Sequence, residues 1–298
     1  MRARPRILFV TSNRIGDAVL STGLLDHLLR RHPDARITVA CGPAAEGVFV
    51  RMPGLERLIT MEKRPWGAHW LPLWGETVVR LWDLVVDIRG SALGWLVPTR
   101  ARARMRHLPG HKTVQLAAVL GVDPPPLPVT WTAPEDRAQA AALLGAGPLI
   151  ALGPTANWAG KVWPAERFVA LFQALAAQAL PGARPVVLAG PGAAEAAMAA
   201  PVLAALPDAI DLCGRLTLPE AAAVLARCEL FVGNDSGLMH LAAAAGAPTL
   251  GLFGPTPADE YGPAGRRTAV ARARAGSMAT LEVADALAAA LPLVALPA

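Results

Sequence analysis

Short apolar runs alternate with helix-period segments along the whole chain, and a chain patterned this way builds parallel β/α units. In the first half the strand-like runs fall near 6–11, 36–41, 57–60 and 84–88. In the second half they fall near 148–152, 185–189, 229–233 and 248–253, with helices between them, notably at 165–179 and 219–227. The segment 18–31 carries Val19, Leu20, Leu24, Leu25 and Leu28 at the spacing of one helix face. Between the halves, the proline-rich stretch 121–139 cannot continue a helix or a central strand and reads as a stiff linker. The expected architecture is α/β. A domain over 1–130 and a domain over 148–298 are joined by a linker at 131–147, and the last helix is free to pack back on the first domain. Two Rossmann-like sheets would then face a central cleft, with ligands at the carboxyl ends of their strands.

With 298 residues, 53% of them hydrophobic and 17% charged, the chain has enough apolar surface for two cores. Cys41, Cys213 and Cys228 are too scattered for a disulfide framework or a zinc site. No secretory leader and no membrane-spanning run is read, so a soluble, cytoplasmic protein is expected. Charge is uneven: residues 1–130 hold 18 Lys and Arg against 10 Asp and Glu, and the remainder holds 10 against 13. The basic half contains Arg100, Arg102, Arg104, Arg106, His107, His111 and Lys112. Such a run suits an anionic partner: a phosphorylated substrate, a membrane surface or nucleic acid. It lacks the interleaved aromatics that stack bases, so nucleic acid is not expected. Trp66, Trp70 and Trp74 recur at four-residue spacing after Lys63 and Arg64. On a helix they would form an aromatic stripe with basic flanks suited to a membrane surface. Pro72 argues against that helix, and such stripes more often belong to a core.

The segment Gly233–His240 carries the densest chemistry. A buried strand ends at Gly233, a polar turn follows, and a small-residue helix begins near Ser236 and Gly237. Free N–H groups at that start make an anion site, and Gly237 clears space for a phosphate. Asp235 and His240 add hydrogen-bonding groups. Read more plainly, Asp235 caps the helix and His240 is an ordinary core histidine.

The stretch 232–263 resembles the C-terminal signature of glycosyltransferase family 9, the ADP-heptose:lipopolysaccharide heptosyltransferases. Residues 7–39 resemble that family's N-terminal signature, an Ile-Gly-Asp turn after the first strand. DLVVDIRG at 83–90 and GPTANWAGKVWPAERFVAL at 153–171 match in the same order. The resemblance implies a GT-B fold and an inverting, metal-independent transfer from a nucleotide-sugar, with ADP-heptose the leading donor. The acceptor would be an anionic glycan or glycolipid of the lipopolysaccharide core. No metal and no cofactor is expected, and the chain carries no Asp-x-Asp pair that would chelate a metal diphosphate. By carry-over Asp17 is the general base, whereas the alternative makes it the N-cap of the helix 18–31. Lys161 contacts donor phosphate, Asp235 holds sugar hydroxyls, and Ser236 and Gly237 cradle phosphate. His240 either joins them or only fixes the turn, and Glu195 is a loose candidate for the ribose. Asp87, Arg89, Arg104 and Arg106 are candidates for the acceptor, with Asp87 as readily a structural partner.

Two other readings stay open. A Rossmann oxidoreductase needs Gly-x-Gly-x-x-Gly after its first strand, and TSNRIGDAV offers a single glycine. A non-catalytic nucleotide-sugar-binding protein would be expected to lack one of Asp17, Lys161 and Asp235. The basic first half also leaves room for peripheral contact with the inner face of the plasma membrane.

Overall fold

The computed structural model describes residues 4–62, 65–106 and 108–295, which form two compact units divided between Trp131 and Thr132. Lys63, Arg64 and His107 of the basic segments lie outside the described residues.

The first unit runs β1 (Arg6–Val10), α1 (Ile15–Arg31), β2 (Arg36–Cys41), α2 (Glu46–Phe49), β3 (Leu55–Thr60), α3 (Trp70–Val78), β4 (Trp82–Asp87), α4 (Leu93–Leu96), β5 (Thr99–Arg104) and α5 (Lys112–Leu120). Its sheet is parallel in the order β3-β2-β1-β4-β5. Because the order reverses between β1 and β4, right-handed crossovers send α1 and α2 to one face and α3 and α4 to the other. Beneath α3 and α4 lies a core of Leu8, Val10, Leu73, Trp82, Val85, Leu93 and Val97. On the opposite face α1 and α5 pack together.

β5 was not expected. Its sequence TRARAR shows only the basic run, yet it pairs with β4 from Trp82↔Thr99 to Asp87↔Arg104. Charged side chains are tolerated there because an edge strand is buried on one side at most. Helix α3 also corrects the sequence reading. Pro72 falls in its first turn, where the backbone N–H has no helical partner to lose.

The second unit runs α6 (Pro134–Leu144), β6 (Leu149–Gly153), α7 (Ala165–Gln178), β7 (Arg184–Val187), α8 (Ala193–Ala205), β8 (Ile210–Asp211), α9 (Leu218–Leu225), β9 (Leu230–Asn234), α10 (Gly237–Ala244), β10 (Thr249–Phe253), α11 (Ala258–Tyr261), β11 (Thr268–Arg272) and α12 (Val283–Ala295). The sheet is again parallel, in the order β11-β10-β9-β6-β7-β8.

Two expectations about the junction are corrected. The stretch 131–147 is not a bare linker, since α6 occupies most of it and packs on α9. Pro134 starts that helix, and the Asp136 carboxylate accepts the Ala133 N–H at 2.7 Å. Ahead of it, the proline-rich segment lies against α1. The Val129 N–H donates to Thr22 at 2.8 Å, and a Cβ on Gly23 would sit 2.6 Å from the Pro126 carbonyl. The last helix, α12, packs on α7, β10 and β11 of its own unit.

Gly153 and Gly233 are register partners on β6 and β9. A Cβ on Gly233 would lie 2.5 Å from Cζ of the buried Phe231 ring and 3.1 Å from the Gly153 carbonyl. Gly233→Ala is therefore expected to cost about 1–3 kcal/mol through overpacking. A melting curve checks this, and an unchanged midpoint would show that the Phe231 ring can give way.

Candidate functional site

In a doubly wound sheet the ligand edge is the carboxyl end of the two strands where the order reverses, because their connections diverge to opposite faces and leave a crevice. In the first unit those strands are β1 and β4, and in the second β6 and β9. The sequence candidates fall at the carboxyl ends of these four strands or on the loops and first helical turns that follow them, with Glu195, Arg104 and Arg106 as the exceptions.

After β1 the chain turns through residues 11–14 into α1. Arg14 is the N-cap and its side chain makes no capping bond. Asp17 sits inside the first turn, which removes the capping alternative. Its half-buried carboxylate accepts a hydrogen bond from Ser12 Oγ at 3.2 Å, and that oxygen in turn accepts the Arg14 N–H at 3.2 Å. A carboxylate in the first turn of a helix also lies in the favourable end of the helix dipole.

After β4, Asp87 is fully buried and serves its own loop. It accepts the Arg89 N–H at 2.9 Å and the Ser91 hydroxyl at 2.7 Å. Burial raises its pKa above the usual carboxylate range, against hydrogen bonds from Ser91 and Arg89 and the nearby Arg104 charge, which lower it. The structural alternative therefore replaces acceptor contact for Asp87, whose carboxylate is sequestered in the turn. Arg89 does not pair with it through its side chain: its guanidinium donates to Asn13 Oδ1 at 3.1 Å and lies 5.9 Å from the Trp70 ring centre. Arg89 thus ties the β4 loop to the β1 loop. Arg104, at the end of β5, donates to the carbonyls of Gly90 at 3.2 Å and Ser91 at 2.8 Å, and its guanidinium stacks 4.8 Å from the Trp95 ring centre. Those contacts hold it against its own loop. Arg106 is exposed beyond the strand.

In the second unit the loops after β6 and β9 meet. Lys161, on a short 3-10 turn over Ala159–Lys161, reaches Asp235 with Nζ 2.6 Å from Oδ2. Both side chains are largely buried, at 16% and 9% exposure. Thr256 donates to the same oxygen at 2.8 Å. Asp235 is not a helix cap, because that position belongs to Ser236. Asn234, fully buried, holds the two loops together: Oδ1 accepts the Trp163 N–H at 3.0 Å, and Nδ2 donates to the Thr155 carbonyl at 3.4 Å. Trp163 is itself locked in the core, its indole N–H bonded to the Leu281 carbonyl at 2.9 Å.

Helix α10 starts immediately beside this pair. Ser236 makes no capping bond and its buried Oγ has no hydrogen-bond partner among the described residues, so the orphan N–H groups of the first turn and a hydroxyl share one spot. Gly237 is the first helical residue, and His240 is buried one turn on, its N–H bonded to the Ser236 carbonyl at 3.4 Å. Lys161, Asp235, Ser236, Gly237 and His240 are therefore brought together, whereas Glu195 stands apart in the first turn of α8, beyond β7. Its carboxylate accepts the Gly190 N–H at 3.2 Å and closes its own turn.

Sequence reasoning passed over Thr256, Asn234, Ser12 and Asn13. Thr256 stands in Gly254-Pro255-Thr256-Pro257 within the stretch 232–263, and Asn234 stands within Gly233–His240, so a signal exists for both. Burial pushes the thiols of Cys41, Cys213 and Cys228 up to about 12, away from the thiolate form at neutral pH. Among the described residues no group of three or more His, Cys, Asp or Glu could hold a metal ion. None of the described helices is long and apolar enough to cross a membrane.

Two Rossmann-like units, each with its polar residues gathered at the strand-order reversal, define an α/β protein of the GT-B type. The same architecture is found in a family 9 glycosyltransferase from Veillonella parvula, with a TM-score of 0.83 at 22% identity over 98% of this chain and 97% of that one. It recurs in ADP-heptose heptosyltransferase II of E. coli, with a TM-score of 0.74 at 21% identity over 97% and 98% of the two chains. The profile of glycosyltransferase family 9 (heptosyltransferase) matches residues 102–290, and the chain belongs to that family. It is a glycosyltransferase. Among its relatives, lipooligosaccharide heptosyltransferase 2 of Haemophilus influenzae is 27% identical over 84% of this chain and 83% of its own. Lipopolysaccharide heptosyltransferase 2 of Salmonella typhimurium is 27% identical over 90% and 88%.

Proposed function

We propose that this chain transfers a heptose from ADP-heptose to a lipopolysaccharide core or a related cell-envelope glycan, with inversion and without a metal. The observation that carries the reading is the Lys161–Asp235 pair beside the start of α10. In a nucleotide-sugar the diphosphate and the sugar are neighbours, and the two side chains read for them are neighbours here. Lys161 and the first-turn N–H groups of α10 suit the diphosphate, Asp235 suits sugar hydroxyls, and Thr256 holds the Asp235 carboxylate in place. A heptosyltransferase of E. coli with the same architecture is known in complex with ADP and with ADP-2-deoxy-2-fluoro heptose, which supports the choice of donor.

The reaction is a single displacement. The acceptor hydroxyl oxygen attacks the anomeric carbon, its proton passes to the Asp17 carboxylate, and the bond to the diphosphate breaks with its electron pair leaving on the diphosphate oxygen. One displacement inverts the anomeric centre. The negative charge that grows on the leaving group is met by Lys161 and the helix N–H groups, which need little reorganisation. The name of the family and the names of the relatives favour a lipopolysaccharide acceptor, and the excess of arginine in the first unit favours an anionic one. Cytoplasmic residence fits this chemistry.

Turnover is expected to survive dialysis against EDTA, measured as ADP release from ADP-heptose in the presence of an acceptor. Loss of activity that added divalent metal restores would overturn the metal-free reading.

A further inference from the structure

We infer that the face of the first unit formed by α3 and α4 is a docking surface for an anionic lipid bilayer. The inference rests on the proposed reaction only in supplying a lipid-linked acceptor as the reason for docking.

The chain can bury tryptophan where the fold needs it, as Trp82 and Trp163 show. On this face it does not. Trp95 is 63% exposed, Leu96 59%, Leu71 69% and Trp74 41%. The four are contiguous. Leu71 and Trp74 are three apart on α3 and share a side, and the Trp74 indole N–H donates to the Leu96 carbonyl at 3.0 Å. Trp74 therefore has its polar atom satisfied within the protein, while much of its apolar ring remains accessible. This is how an interfacial tryptophan is built.

The rim is cationic. Arg102 brackets α4, donating to the Gly94 carbonyl at 2.7 Å and the Val97 carbonyl at 3.2 Å. Arg104 lies over Trp95. Arg100 points the same way two residues earlier on the strand, its side chain 70% exposed with Asp83 at 3.5 Å. Apolar ridge and arginine rim together match the two layers of a membrane surface, acyl boundary and anionic headgroups.

Charge also selects the occupant. A second copy docking through the same face would bring like-charged arginine rims together across the symmetry axis. A protein partner with carboxylates would favour free guanidinium forks, yet Arg102 and Arg104 already commit donors to backbone carbonyls. A plane of anionic headgroups needs only their charge. The face also adjoins the carboxyl edge of β4, where Arg89 lies bonded to Asn13 of the β1 loop, so a glycan displayed at a membrane would be met there.

The test is flotation of the intact chain with vesicles of phosphatidylcholine, alone or with about one third phosphatidylglycerol. Wild type is expected to float with the anionic vesicles and much less with the neutral ones. Trp95→Ser combined with Leu96→Ser is expected to lower that partitioning roughly tenfold or more, with an unchanged melting curve because both residues are largely exposed. Leu127→Ser, an exposed site whose segment lies against α1 on the opposite face of the sheet, is expected to bind as wild type. Undiminished binding of the double variant overturns the proposal, as does equal binding to both vesicles. So does a wild-type dimer in light scattering that the double variant abolishes while no vesicle is bound. Vesicle binding is read without substrates, so ADP-heptose left intact beside a heptose-deficient lipopolysaccharide core would defeat the proposed reaction and leave this result standing.

Discussion

Asp17→Asn is expected to lower turnover by about 10²–10⁴-fold while leaving donor affinity nearly unchanged. The asparagine keeps the shape and can still accept the Ser12 hydroxyl, but it cannot take a proton from the acceptor. Asp17 lies in the first turn of α1, half-buried, with Ser12 Oγ 3.2 Å away, so the substitution disturbs neither the core nor a helix cap. Its effect should therefore fall on kcat. Single-turnover kinetics with saturating ADP-heptose, beside calorimetric titration of ADP, separate the two quantities. Near-normal turnover would remove Asp17 as the base. A joint loss of turnover and of ADP affinity would point instead to a misplaced β1 loop.

Lys161→Met is expected to weaken ADP binding by about 10- to 100-fold, the value of one charge-assisted hydrogen bond to phosphate. It should also lower stability, because Asp235 is 9% exposed and loses its cationic partner. Removing one member of a fully buried pair costs about 3–5 kcal/mol, and the partial exposure of Lys161 places this case toward the lower end. The two effects can be separated. Adding Asp235→Asn to Lys161→Met removes the unpaired charge and should restore much of the melting temperature, with ADP affinity remaining weak. If ADP binds Lys161→Met as it binds wild type, the diphosphate is held elsewhere and the donor site is misassigned.

Much of the fold was legible because its central strands are buried on both faces. Leu8–Val10, Val85–Val86, Ile150–Leu152 and Phe231–Val232 read as continuous apolar runs, the signature of parallel sheets covered by helices. Three of the four edges were not legible for the opposite reason, whereas the edge strand β3 was read at 57–60. β5 is Arg-Ala alternation, β8 is two residues long, and β11 follows an arginine-rich turn. Each is held by pairing with its neighbour more than by its own hydrophobicity. Helix α6 was hidden by the prolines around it, although Pro134 is its first residue and helps to start it.

The site was legible where a motif combined residue type with position, and Asp17, Lys161 and Asp235 all fall at strand-order reversals. What the sequence could not convey was partnership. Asp87 and Arg89 stand two apart, yet the carboxylate turns inward to its own loop and the guanidinium outward to Asn13. Arg104 reads as one of a row of cations but is bound to loop carbonyls and an indole. Thr256 reaches Asp235 from 21 residues away, through a turn whose prolines give no hint of a hydroxyl's target.

The central claim is that this chain moves heptose from ADP-heptose in one displacement. Purified protein, ADP-heptose and a heptose-deficient lipopolysaccharide core should be combined, with ADP release followed and the glycosylated product read by NMR. The account predicts one ADP for each heptose transferred and an anomeric configuration inverted relative to the donor. A product that retains the donor's configuration, or ADP-heptose left intact beside a competent acceptor, would contradict it.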